Sequence, residues 1–592
     1  MKKSAFCWSR FDSAVLICTL LLYGAALRYL QPIILPSTFI AQDMEEPIAI
    51  QHAPFPTVYK NTIDLDLRVW MRQIRPSALR IEVYDCIRSL SINGKKITDK
   101  GLMKCHRTAE GFVLKDTTML RRGVNIMQIT ALSWRKNGIR ITVPHTDPLK
   151  FVLHFALLCI IGFYGWKGIR KTFLWQKHRD LMGIFLIGAL LRSIYMLSTR
   201  IWERSYDWQG HWDYILYVLQ HWNIPLTSQG WQYYQPPLFY FMNAVALFPA
   251  TLLTGNEYPL MRLAQAFSLG ISIAALGAGI WIGTLLFPEK ENQKRLLFAA
   301  GLAFFPGLVF HASRVSNDTL LLLISFLFFG FLYRWWIRGS ERDLLIASVC
   351  VACGLLTKSS ALPLAALLFL CILIHQPRHW RTSLRNVLLC FAILFALTGW
   401  HYTLRFMVEG NQHIVGNIDR NGPTLYIDTI EKKNFYTFRP IAVLQQPFNN
   451  PLNDRRGRRF FWEHLTKSSL AGEWELGDEL YTTMQFLLML IMLFAVLGIA
   501  GLIRTIRHQL HASLPILATG VVLTGSMMVL VMQKPVGGFQ DFRYIPLLAV
   551  PVLYCILQGT DVLPIRIRNI PVLLLLLFYT FCVAFFMILL AH

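Results

Sequence analysis

Long apolar runs separated by short polar breaks dominate the chain, most clearly at residues 13–30, 151–166, 317–337, 481–503 and 571–590. Each approaches the ~20 residues that an α-helix needs to cross a hydrocarbon layer of ~30 Å. Shorter or weaker runs lie near 181–199, 236–253, 263–286, 296–312, 343–357, 361–375, 386–400, 513–532 and 544–559. Together they predict a polytopic α-helical membrane protein with about 13–14 transmembrane helices. Topology leaves the count open. The loops 200–235 and 311–318 are both expected outside, so an even number of crossings must separate them, yet three runs intervene. The run 236–253, which starts at Pro236 and Pro237 and contains Pro249, is the one expected to be short or interfacial.

The pattern changes over residues 36–148. Stretches such as "LRIEVYD", "SLSINGKKI", "NIMQITALSW" and "IRITVP" alternate apolar and polar positions, broken by Asn-Gly and Gly. That period predicts antiparallel strands and a β-sandwich. "SINGKKI" and "LRRGVNIMQIT" resemble jelly-roll modules attached to carbohydrate enzymes, with a purely structural cap as the other reading. The chain thus divides into an N-terminal transmembrane anchor (1–35), an extracytoplasmic β-sandwich (36–148), a helical core (149–400) with external loop 200–235, a second external segment (401–480), and C-terminal transmembrane helices (481–592).

Charge fixes the expected orientation. The formal charge is +24, but the bases gather in short inter-helix loops: Lys167, Arg170 and Lys171; Arg378, Arg381 and Arg385; Arg504 and Arg507; Arg566 and Arg568. Cytoplasmic loops carry that excess. No basic face with interleaved aromatics sits on a soluble segment, which excludes a nucleic-acid partner. Lys2, Lys3 and Arg10 precede the first apolar run with no small-residue cleavage pattern after it, so an uncleaved first helix with its N-terminus inside is expected. Most cysteines lie in apolar segments as small hydrophobes, the Cys350–Cys353 pair among them. Cys86 and Cys105 fall in the external polar segment, where a disulfide between them is expected.

One stretch concentrates chemistry. "YDWQGHWDYILYVLQHWNIPLTSQGWQYYQPPLFYF" (206–241) holds Asp207, His211 and Asp213 among many Trp and Tyr residues. If 207–221 is helical, Asp207 and His211 share a face at i,i+4 and Asp213 points away. An interfacial aromatic belt explains the rings alone. The same residues also suit sugar chemistry, in which aromatic faces stack on pyranose rings and a carboxylate takes a hydroxyl proton.

Asp207, His211, Tyr214, Pro225 and "QPPLFYF" together resemble the first external loop of the GT-C glycosyltransferases, the superfamily of protein mannosyltransferases and the lipid A aminoarabinose transferase. Further segments agree in order: "FPGLVFHASRVSNDTLLLL" (305–323), "ACGLLTKSSALPL" (352–364), "FWEHLTKSSLAGEW" (461–474) and "FRYIPLLAVPVL" (542–553). The resemblance implies an inverting glycosyltransferase of the bacterial inner membrane with a periplasmic active site. It would take a sugar from a polyprenyl-phosphate donor and pass it to an envelope glycolipid or protein hydroxyl. Asp207 would be the general base, with His211, Asp213, Asn317 and Asp318 in support. Tyr206, Trp208, Tyr214, Gln235, Pro236 and Pro237 would form the substrate loop. The leaving phosphate needs a cation, for which Arg543, Lys358 and Arg314 are candidates; anchoring of helix ends is the alternative for each. Relatives often follow the loop aspartate with Glu, whereas Trp208 and Gln209 follow here. No metal ligand set is specified, and a divalent ion has only scattered donors such as Asp207, Asp213, Asp318 and His211. The basic run "RRGRRFFW" (455–462) is external and suits lipid headgroups, an anionic acceptor, or nearby acids. A multi-pass transporter or flippase is the competing class, but it predicts inverted repeats and mid-membrane charges in both halves, and neither is visible.

Overall fold

In the computed structural model the chain forms two compact units, residues 1–176 with 590–592, and residues 177–589. In the first, the structure describes strands and turns between residues 33 and 142. In the second, it describes 179–205, 207–252, 257–375, 380–410, 431–449, 458–474, 476–564 and 566–591.

The first unit is the expected antiparallel β structure. A larger sheet runs β3 (Ile48–Ile50), β2 (Ser37–Ala41), β4 (Thr62–Met71), β9 (Gly123–Leu132), β6 (Cys86–Ile92) and β7 (Lys95–Lys96), with β1 (Ile33–Ile34) also on β4. A smaller sheet orders β10 (Ile139–Thr142), β5 (Leu79–Val83) and β8 (Phe112–Leu114). Leu67, Val69, Leu90, Met127 and Ile129 of the first sheet share one buried cluster with Leu79, Ile81, Phe112 and Ile141 of the second. The alternating side chains of both sheets therefore meet face to face, as in a sandwich. The Asn-Gly break becomes a two-residue hairpin between β6 and β7, with both residues at positive φ (Asn93 51°, Gly94 80°). Cys105 and the Cys86 side chain lie outside the described residues, as do the first two apolar runs.

The second unit is helical. Its main helices are α1 (Arg179–Ser198), α2 (Trp208–His221), α3 (Leu238–Thr251), α4 (Glu257–Leu286), α5 (Asn292–Phe304), α6 (Asn317–Arg338), α7 (Glu341–Thr357), α8 (Leu362–His375), α9 (Trp380–Glu409), α10 (Phe461–Ala471), α11 (Tyr481–Gln533), α12 (Ala549–Gly559) and α13 (Asn569–Ala591). Among the described residues, six helices are long and apolar enough to cross a membrane, or seven if α5 and the bent turn after it count as one span. Among the described residues this is fewer full spans than the 13–14 expected for the whole chain. The first two apolar runs lie outside the described residues, and several others form helices too short to qualify. Among these is α3, at 14 residues, from the run expected to be short. The runs 481–503 and 513–532 merge into α11, which breaks at Gln509 (φ −141°).

Two features position the site. After α5 the chain bends by 58° at Phe305–Pro306. Pro306 has no N–H to give back to the helix, so carbonyls at its end are orphaned. Arg192 of α1 supplies the missing donors, to Leu302 O at 3.0 Å and Ala303 O at 2.7 Å. After the bend, short turns over Pro306–Ala312 lead to Arg314 and the start of α6. At the other end of the chain, α11 and α12 approach so closely at Gly501 that an added Cβ would press on the backbone of Cys555 and Gly559. Gly501→Ala is therefore expected to force the helices apart and cost about 1–3 kcal/mol, read as a lowered melting temperature in detergent.

Candidate active site

The site is assembled from four separate segments. Asp207 is the N-cap of α2, yet its side chain makes no capping bond. Its carboxylate is instead half-buried and faces Arg543, Oδ2 to Nη1 at 3.7 Å. Arg543 lies in the tight turn Phe542–Tyr544, which is pinned twice: Arg543 N–H donates to Asp541 Oδ1 at 2.7 Å, and Phe542 N–H donates to Ser468 Oγ of α10 at 3.0 Å. Just after α10, Glu473 reaches the same guanidinium, Oε1 to Nη2 at 3.2 Å. Tyr544 O–H accepts from Nη2 at 3.1 Å, and the guanidinium carbon lies 5.0 Å from the Tyr544 ring centre.

On the other side of the Tyr544 ring, Lys358 Nζ lies 4.7 Å from its centre and donates to Asp318 Oδ1 at 2.5 Å. Lys358 caps the end of α7 and Asp318 sits in the first turn of α6, so one buried ion pair joins two helix ends. Beside it, Asn317 Nδ2 donates to Gln235 Oε1 at 3.0 Å and to Thr357 O at 3.1 Å, tying the first loop to α7. Arg314 is buried and donates from Nε to Arg204 O at 3.0 Å. Asp207, Arg543, Lys358, Asp318 and Arg314 thus share one electrostatic neighbourhood, and each bears on the ionisation of others in it.

The remaining loop residues separate. His211 lies one turn after Asp207, but its Nδ1 pairs with Tyr240 O–H at 2.8 Å rather than with the aspartate. Burial holds its pKa down to about 4, so the ring stays neutral and acts as a packing element. Asp213 points to another face of α2, where burial and the neighbouring Glu257 raise its pKa to about 6. Tyr214 is fully buried, stacked on Tyr240 with ring centres 3.8 Å apart. Pro236 and Pro237 are buried at the entry to α3, and Trp208 is half-buried with its ring centre 6.1 Å from that of Trp202. Tyr206 lies outside the described residues, as do Arg455 and Arg456 of the basic run. Of the described part of that run, Arg458 is buried, where its backbone carbonyl accepts from Gln540.

Sequence reasoning missed two acids and a latch. Glu473 and Asp541 are both buried, and burial pushes each above the usual carboxylate range; the neighbouring Asp541 raises Glu473 further, while the hydrogen bond from Glu473 works the other way on Asp541. Glu473 stood inside the quoted "SSLAGEW" segment and Asp541 two residues before Arg543, so position relative to recognised segments was the available signal. The latch is Arg405 near the end of α9. It donates to Tyr233 O at 2.6 Å and Pro225 O at 3.2 Å and pairs with Glu409 at 2.8 Å, while Glu409 accepts from Thr227 N at 2.6 Å. It holds the loop that carries Gln235.

Among the described residues no group of three or more His, Cys, Asp or Glu side chains is arranged to hold a metal ion. Asp207 already faces a guanidinium, and the buried Glu473 behind it pairs with that same cation. Asp207 and Glu473 thus face Arg543 rather than one another, an arrangement built around a cationic side chain.

Part of the chain matches a known family. Residues 235–401 match the family model described as dolichyl-phosphate-mannose-protein mannosyltransferase. The matched segment holds Gln235, Arg314, Asn317, Asp318 and Lys358, and ends before Arg543. No curated protein matches significantly. Among solved structures, the Archaeoglobus fulgidus oligosaccharyltransferase in complex with Zn and sulfate aligns at 13% identity and a TM-score of 0.41, covering 68% of this chain and 53% of that one. The archaeal oligosaccharyltransferase AglB from the same organism, in complex with an inhibitory peptide and a dolichol-phosphate, aligns at 12% identity and 0.39, covering 69% and 56%. The chain spans just over half the length of these structures. Over residues 235–401 the family match agrees with the GT-C resemblance.

Proposed function

We propose that this chain is a membrane glycosyltransferase of the GT-C type that moves a sugar from a polyprenyl-phosphate donor to an acceptor hydroxyl in a single inverting displacement, with Asp207 as general base. The observation that carries the reading is the junction of Asp207 and Arg543. A half-buried carboxylate with no side-chain capping bond faces a guanidinium that also pairs with the buried Glu473. A proton acceptor and an anion-binding group side by side support this reading. The acceptor oxygen attacks the anomeric carbon as its proton passes to Asp207. The bond from that carbon to the phosphate oxygen breaks on the opposite face. The electron pair leaves with polyprenyl phosphate, whose charge Arg543 meets. Lys358 and Arg314 add positive potential behind it, while Asp318 and Asn317 hold Lys358 and the first loop in register. The bacterial inner membrane, a periplasmic site, and an envelope glycolipid or protein acceptor complete the reading.

The test uses the purified chain in vesicles supplied with a polyprenyl-phosphate sugar and an envelope glycolipid. A covalent product, formed together with an equal amount of polyprenyl phosphate, is expected. Movement of the donor lipid across the bilayer with no covalent product would instead establish the transporter class. Asp213→Asn is expected to stay within a few-fold of the parent rate, because Asp213 faces Glu257 and not the Arg543 cluster.

A further inference from the structure

Arg543 is held unequally at its two edges. The inner edge is closed: Nη2 lies 3.2 Å from Glu473 Oε1 and 3.1 Å from Tyr544 O–H, and the Glu473 side chain is only 8% exposed. The outer edge is loose: Nη1 lies 3.7 Å from Asp207, whose side chain is 32% exposed. The backbone beneath is fixed by the Asp541 contact, and Gly538, at φ +93°, lets the chain pass so close to Glu473 that a Cβ there would sit 3.1 Å from Oε1. We propose that Glu473 is a positioning residue: it grips the inner edge of Arg543 so that the outer edge can pass from Asp207 to the donor phosphate. This rests on the reading of Asp207 as base and Arg543 as phosphate ligand.

Donor binding then does two things at once. The phosphate takes the outer guanidinium edge, and Asp207 loses its ion-pair partner at the moment an acceptor proton must be removed. Without an anchor at the inner edge, Arg543 would follow the phosphate or stay with the aspartate, and the two roles could not be separated. The charges facing Glu473 set the pH response. They are Asp207 from the start of α2 and Asp541, Arg543 and Tyr544 from the turn before α12; Arg314 from the turn before α6 and His464 on α10, itself beside Lys467, act on Arg543 in turn. The Lys358–Asp318 pair lies beyond Tyr544. Glu473 hydrogen-bonds to Asp541, and the pair retains a proton into the neutral range. While it does, the carboxylates and guanidiniums around Arg543 balance. Losing that proton adds a negative charge against an arriving phosphate.

The experiment measures donor KM and kcat for the full chain in vesicles, from about pH 6 to about pH 9, for the parent, E473Q, E473A and D207N. The parent's donor KM is expected to climb above neutrality as the shared proton leaves. E473Q keeps the shape and cannot ionise, so that climb should disappear. E473A should raise donor KM about tenfold, as the ion pair that holds the inner edge is lost, with a smaller change in kcat. A donor KM in E473Q that climbs with pH as in the parent overturns the role of Glu473. D207N transferring at the parent rate overturns the underlying reading instead, so the two failures are told apart. If E473A does not accumulate, E473Q alone decides the matter.

Discussion

Asp207→Asn is expected to lower sugar transfer by about two to four orders of magnitude, the usual worth of a positioned general base. The substitution is close to isosteric, and asparagine is as good an N-cap residue as aspartate. The native side chain makes no capping bond, so α2 loses nothing by the exchange. What is lost is an acceptor for the attacking hydroxyl's proton and the counter-charge 3.7 Å from Arg543. Melting temperature and expression should therefore match the parent while the single-turnover rate with donor bound collapses. Donor affinity should hold or tighten, because Arg543 no longer divides its charge. A parallel fall in stability and rate would assign Asp207 to structure rather than chemistry.

Lys358→Met is expected to destabilise the fold by about 3–5 kcal/mol, because it strands the Asp318 carboxylate in the interior. The two side chains are 11% and 6% exposed, and Lys358 Nζ is the only ammonium given to Asp318 among the described residues. Removing both charges together, as Lys358→Met with Asp318→Leu, should recover most of that loss, since a buried pair is often no more stable than apolar groups of similar volume. Transfer should not recover with stability. Lys358 would no longer add its charge beside Tyr544 and Arg543. Thermal melts of the single and double variants, read beside their transfer rates, separate the helix-joining part of this pair from its electrostatic part. A single variant as stable as the parent would contradict the buried pairing.

Much of this arrangement was legible because it is periodic or local. Apolar runs located the helices from residue 179 onward, alternation located the strands, and the Asn-Gly pair located a hairpin. The start of α2 at Asp207 and the divergence of Asp213 follow from helical geometry alone. What stayed hidden depends on contacts far apart in sequence. His211 pairs with Tyr240, 29 residues on, and not with the carboxylate one turn before it. Glu473 and Asp541 meet only because α10 receives the final turn through Ser468 and Phe542. The bend at Pro306 could be read from the proline, but not that Arg192, on a helix more than a hundred residues earlier, would supply its missing donors. The span count was least legible, since a short apolar helix and a full crossing share one composition.

The central claim is a single displacement with Asp207 as base, and the anomeric configuration of the product tests it most directly. Donor of known configuration is turned over by the parent chain in vesicles, and the new glycosidic bond is assigned by its anomeric proton coupling. An inverted centre is the predicted result, with the proton on Asp207 and the phosphate on Arg543. A retained centre would mean two successive displacements, with a carboxylate attacking carbon instead of a proton, and would contradict the account.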